Sequence, residues 1–306
     1  MMSCTRPRRR HPAGVAPLDS GHGVVTQGPK ARYGVAILAL LILGLLALAC
    51  GGSSEEADLT IADAAPRDAE AVGLVDLRVI GEDQELALAA DPVRKALNGS
   101  LANLGLGSSD LTGAMTFLVE NNRVLVAQGP FDLEEISQRL ADTGHLVMDV
   151  EGTEVWFGPI GNVAFLASNR IALTSDFSSL ELMVSQLKEK RALGTSEAIS
   201  SVLDALPPGF YTVVSGDCAF VAVGCRAIGM SFNKKDSTLS SFDFVAVFDS
   251  EAEVSASLQD LEAFVHLQGL FSNVASQMTG GRFMAHGEGN SVEIFDGLAV
   301  EFTLQP

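Results

Sequence analysis

Short apolar runs recur along most of this 306-residue chain, and turn-forming residues separate them. Ala69 to Ile80 (AEAVGLVDLRVI) alternates well enough to predict a strand, with Val72, Leu74 and Val79 facing a core. Leu86, Leu88, Val93, Leu97 and Leu101 then repeat at helical spacing, and Pro92 opens a second helical piece capped by Asp91. Ala114–Glu120 and Arg123–Gln128 flank Asn121-Asn122, a pair that tolerates the positive φ of a tight hairpin. Asp132, with Glu135 three residues on, predicts a capped helix striped by Leu133, Ile136 and Leu140 and ended by Gly144. His145–Val150 and Thr153–Phe157 follow as strands about Glu151-Gly152, then Asn162–Ser168 and Ile171–Thr174 as a further hairpin. After Asp176, Leu180, Met183, Val184 and Leu187 mark a helix, and Ser196–Leu206 another that stops at Pro207-Pro208.

Past Gly209 the order repeats. Phe210–Ser215, Arg226–Asn233 and Thr238–Phe248 read as strands. Ser250 and Glu253 open a long helical stretch reaching about Met278, with Val254, Leu258, Leu261, Phe264, Phe271 and Val274 inward. Arg282–His286 is a short strand, and Ser291–Phe295 and Leu298–Leu304 are expected to meet across Asp296-Gly297. Antiparallel hairpins covered by helices predict an α+β fold. It divides into similar halves, residues 68–207 and 208–306, which are either a duplication or two uses of one local motif.

One run departs from this pattern. Val35 to Ala49 holds no charged side chain, follows Lys30 and Arg32, and ends at Cys50-Gly51-Gly52. Fifteen residues reach only about 22 Å as a helix, short of the roughly 30 Å hydrocarbon core. Residues 34–49 therefore read as the apolar region of a secretory signal, with an uncleaved tilted anchor as the other reading. Both put the globular part outside the inner membrane, because Arg6, Arg8, Arg9, Arg10, Lys30 and Arg32 precede the run. Residues 1–33, rich in Pro, Gly and Arg, read as a disordered cytoplasmic leader or an extension upstream of the true start.

Leu46-Ala47-Leu48-Ala49-Cys50 resembles the lipobox of bacterial lipoproteins. That resemblance implies cleavage before Cys50, diacylation of its thiol and attachment of the mature chain to a membrane. Residues 50–67 (CGGSSEEADLTIADAAPR) are small and acidic and read as the lipidated tether.

Six of the 20 Lys and Arg and one of the 38 Asp and Glu precede Cys50, leaving 14 and 37 and a net charge of −23. A surface this acidic repels phosphate, which argues against a nucleic-acid partner. Past the signal there is one Trp (Trp156) and one Tyr (Tyr211), which lowers the expectation of aromatic glycan platforms. Cys218 and Cys225 lie in DCAFVAVGC, where an oxidising compartment favours a disulfide. Redox or metal chemistry there would call for CxxC spacing or neighbouring His ligands.

No nucleophile elbow, phosphate loop, zinc motif or calcium loop is present. His145, His266 and His286 are the histidines of the mature chain and stand far apart in sequence. Glu134-Glu135 reads as a solvated pair at a helix start. Asp217 beside Cys218 lacks any nearby histidine to serve as base. No cofactor and no catalytic residue is expected. The sequence points first to a lipid-anchored envelope protein that binds or scaffolds another protein. A carrier or chaperone for apolar ligands and an extracytoplasmic hydrolase using carboxylates are the alternatives.

Overall fold

The computed structural model describes residues 65–67, 69–119, 122–189, 196–216, 218, 221–236, 238–266 and 271–299. Among them, twelve strands form one antiparallel sheet. In chain order they are β1 (Val72–Asp76), β2 (Gly113–Val119), β3 (Asn122–Gln128), β4 (Leu146–Val150), β5 (Thr153–Gly158) and β6 (Gly161–Ala167). Then come β7 (Arg170–Thr174), β8 (Tyr211–Ser215), β9 (Cys225–Lys234), β10 (Leu239–Phe248), β11 (Phe271–Thr279) and β12 (Arg282–Asn290). Across the sheet the order is β11-β12-β10-β9-β8-β1-β2-β3-β7-β6-β5-β4.

The seam between β8 and β1 pairs Val72 with Val214 and Gly73 with Val213. On either side of it the chain takes the same route. Three meandering strands lead to helix, and the chain then returns so that its last strand pairs with the third of the meander. Thus β7 pairs with β3 and β12 pairs with β10. The side begun by β1 carries one hairpin more, β4–β5.

Alternation on the strands feeds two cores. Val124 and Val126 point to one face of β3, Leu125 and Ala127 to the other, and all four are buried. The larger core lies under α1 (Leu77–Glu82), α2 (Gln84–Ala89), α3 (Asp91–Leu101) and α4 (Leu133–Asp142). It continues under α7 (Glu251–Ala256), α8 (Leu258–His266) and α9 (Ser291–Ala299). The opposite face is covered by α5 (Phe177–Lys188) and α6 (Glu197–Leu203), through Leu180, Met183, Val184, Ile199 and Val202. Helices on both faces of an antiparallel sheet make this an α+β protein. None of the described helices is long and apolar enough to cross a membrane.

The caps are where the side chains say. Asp132 accepts from the amides of Glu134 and Glu135 at 3.1 Å each, and Asp176 from that of Ser179 at 2.7 Å. Ser250 accepts from Glu253, whose carboxylate reaches back to the amide of Asp249. Glu135 instead pairs with Arg139 at 2.6 Å, one turn along.

Four local expectations need correction. The strand predicted over Ala69–Ile80 ends at Asp76, whose carboxylate accepts from the amides of Arg78 and Val79 and starts α1; Val79 is consequently 45% exposed. Asp91 is the first residue of α3 rather than its cap, and pairs with Lys95 at 2.6 Å.

The long helix reaching Met278 stops at His266. Phe271–Thr279 is a strand, joined to β12 through the Gly280-Gly281 turn with Thr279 opposite Arg282. Phe271 and Val274 mimic helical spacing, but pairing with β12 satisfies the backbone, and the Phe271 ring lies 4.1 Å from that of Phe242. The hairpin expected at Asp296-Gly297 is replaced by α9. Asn290 accepts from the amides of Val292 and Glu293, and Phe295 stacks on Phe210 at 5.0 Å. That cap and that buried ring override the two-residue turn signal. Residues 300–304 of the expected partner strand lie outside the described residues.

Candidate functional site

The residues singled out by sequence are dispersed. Cys50, with the rest of 1–64, lies outside the described residues, as does Asp217. Cys218 and Cys225 are disulfide-bonded, their Cα atoms 5.5 Å apart. Cys218 is fully buried in the larger core, so the bridge pins the connection between β8 and β9 onto that core. Ser257, at the junction of α7 and α8, donates to the carbonyl of Val223 and fastens the same loop from the other side.

His145 is buried, with Nδ1 3.0 Å from the Thr143 hydroxyl and Nε2 3.2 Å from the carbonyl of Gly161. A Cβ at Gly158 would come within 2.6 Å of its ring, so glycine is what lets the imidazole seat there. His266 is exposed at the end of α8. His286 is exposed beside Asp243, 3.0 Å away across β12 and β10. Glu134 and Glu135 sit in the exposed first turn of α4. No cluster of three or more His, Cys, Asp or Glu suited to a metal occurs among the described residues.

Three carboxylates are held below their usual range. Asp83 accepts from the amide of Leu86 and from Lys234, 2.5 Å away. Asp236 accepts from the amides of Thr238 and Leu239. Glu288 pairs with Lys235 and accepts from Asn273. Each favours the ionised state and ties neighbouring segments together.

The feature that stands apart is the end of the sheet at β4. Among the described residues its single sheet neighbour is β5. Leu146, Val147 and Met148 are 62%, 53% and 41% exposed, three consecutive large apolar residues on a strand whose other side pairs with none of the described residues. The strand is nevertheless firmly placed. Glu151 (φ 51°) and Gly152 (φ 79°) form the two-residue turn joining it to β5, with both residues left-handed as a type I′ turn requires. The Asp149 carboxylate accepts from the amide of Gly152 at 2.9 Å, and Ser185 of α5 donates to Glu151 at 3.1 Å. His145 anchors the other end.

Register settles which backbone groups are free. In a two-residue hairpin the closing pair, here Val150 and Thr153, exchanges both hydrogen bonds. Alternation then turns the N–H and C=O of Met148 and Leu146 toward β5 and those of Val147 and Asp149 outward. Beside the strand, Met148, Asp149, Val150 and Glu151 face Ser178, Glu181, Leu182 and Ser185 of α5 across an open cleft of about 530 Å³. On the opposite face Val147 lies across from Trp156, whose indole donates to Glu154 at 2.6 Å.

The opposite end of the sheet is built differently. At β11 the register shifts between Ser272 and Ala275, Asn273 adopts φ 53°, and its amide donates to Glu288 at 3.1 Å. A bulge of this kind twists an edge away from straight pairing.

No family model matches the sequence, and no curated protein matches it. Among solved structures, the chain is similar to crystal form III of TP0453. The TM-score is 0.52 at 9% identity, over 79% of this chain and 99% of that one. Crystal form IV of TP0453 gives a TM-score of 0.52 at 9% identity, over 81% and 100%. At this identity the likeness concerns the fold alone.

Proposed function

We propose that this chain is a lipid-anchored extracytoplasmic envelope protein with a non-catalytic binding or scaffolding role, and that β4 is the strand it offers to a protein partner. The observation that carries this reading is the bare edge of β4. A strand in unbroken register, with N–H and C=O groups unpaired among the described residues and with exposed apolar side chains, is a template for strand addition by an extended segment. Such edges are ordinarily blunted in proteins that keep them unoccupied.

The membrane attachment rests on the lipobox-like Leu46-Ala47-Leu48-Ala49-Cys50, with Cys50 as the acylated residue, or on the same run kept as an uncleaved anchor. The disulfide Cys218–Cys225 agrees with an oxidising compartment. The carrier alternative gains no support, because the described clefts open to solvent. A hydrolase would want a carboxyl held protonated, whereas Asp83, Asp236 and Glu288 are shifted the other way.

Two experiments test the reading. Cys50→Ser should abolish fatty-acid labelling and membrane retention; unchanged labelling contradicts the lipid anchor. Crosslinking in intact cells should give a heterologous adduct that Val147→Pro removes. Proline there deletes only an outward-facing N–H, a loss an edge strand tolerates. An adduct indifferent to that substitution contradicts β4 as the docking strand.

A further inference from the structure

We infer that the β4 edge is built for an extended segment in which Lys or Arg alternates with apolar side chains. The inference rests on the reading of β4 as a docking strand and adds the chemistry of what docks. Successive side chains of an added strand point to opposite faces of the sheet. Those on the α5 face would lie over Met148 and Leu182, at a cleft lined among the described residues by no basic side chain. Those on the other face would meet Asp149 and, directly opposite it on β5, Glu154. Apolar side chains bury against Met148 and Leu182 on one face while basic ones meet Asp149 and Glu154 on the other.

The charge pattern also argues against the simplest other occupant, a second copy of this chain. Antiparallel pairing of β4 with itself would set these same carboxylates against one another, in a chain already carrying a mature net charge of −23. Like charges brought together across an interface disfavour association.

Synthetic heptapeptides alternating valine with lysine, or valine with glutamate, provide the test when titrated into the purified full-length protein. Trp156, the only tryptophan in the chain, sits across from Val147 on the neighbouring strand and supplies the fluorescence signal. The lysine peptide should bind at least about tenfold more tightly than the glutamate peptide. Its binding should weaken several-fold between about 50 and about 500 mM salt. New amide-exchange protection should appear at Val147 and Asp149. Val147→Pro should reduce binding about tenfold or more, with Val147→Lys as a second variant should proline disturb the fold. Ser276→Pro on β11 should leave binding unchanged.

Equal binding of the two peptides would overturn the proposed chemistry while leaving β4 as a docking strand. Lysine-peptide binding indifferent to both Val147 variants would overturn the site itself. Self-association of the protein that Val147→Lys or Val147→Pro abolishes would make a second copy the occupant, and so would also overturn the inference.

Discussion

At β11 the outermost strand is bent by a bulge, and its exposed positions are mostly Ser, Asn, Gln and Thr. Met278 is the one large apolar side chain exposed on it. Asn273 is tied to Glu288, and Glu288 to Lys235, so the strand's irregular part is held by polar groups on two neighbours. Its inward ring, Phe271, sits against Phe242 and Phe232. At β4 the outermost strand keeps an unbroken register with β5, carries Leu-Val-Met in succession, and is tied at its ends. Both strands close their hairpins with a two-residue turn, so the difference lies in what the free side presents. One end of the sheet is finished against further pairing and the other is left able to continue.

The largest effect expected from probing this contrast lies on the finished side. Phe242 is fully buried beneath Phe271, and Phe242→Ala should cost about 3–5 kcal/mol in denaturant unfolding. Next comes the disulfide, on the same side of the seam. Replacing Cys218 and Cys225 by Ala should lower stability by about 2–3 kcal/mol for so short a loop, and leave contacts made by β4 unchanged. Met148→Ala, on the bare strand, should cost less than about 1 kcal/mol, because Met148 is already 41% exposed. A stability loss there as large as that at Phe242 would mean β4 is packed rather than open.

The smallest effect is one of pH, and it too belongs mainly to the β11 side. Asp83, Asp236 and Glu288 have folded values depressed below their unfolded ones. Each therefore contributes stability that is full above the unfolded carboxylate value. That contribution is lost as pH falls through the folded one, a decline beginning below about pH 4.5. Urea midpoints followed with pH should show this decline, and Glu288→Gln should flatten it slightly. All three groups are solvent-accessible, so the change is small.

Much of the fold was legible because local chemistry and tertiary structure agree. Glu151-Gly152, Asp132, Asp176 and Ser250 do in the fold what their side chains announce in the sequence. The expectation failed where two local signals competed. Asp296-Gly297 is a good turn pair, yet Asn290 capping a helix and Phe295 stacking on Phe210 outweigh it. Phe271 and Val274 fit a helix, yet Gly280-Gly281 allows a hairpin that pairs the same residues with β12. That glycine pair was the available signal.

The bare edge itself was not legible. His145–Val150 reads only as an ordinary strand beside the Glu151-Gly152 turn. Its place at the end of the sheet is decided by the pairing of β3 with β7, which sends β6, β5 and β4 successively outward. That is a long-range choice that no short stretch of sequence records.

The contrast between the edges is tested most directly by placing a photo-reactive residue at position 147 on β4, or at position 276 on β11, and irradiating intact cells. Both positions direct backbone groups away from their hairpin partner, so they differ only in which edge they report. The expected result is a heterologous protein adduct from position 147 and little or none from position 276. Equal adducts from both, or adducts from position 276 alone, would contradict the claim that β4 is the docking strand.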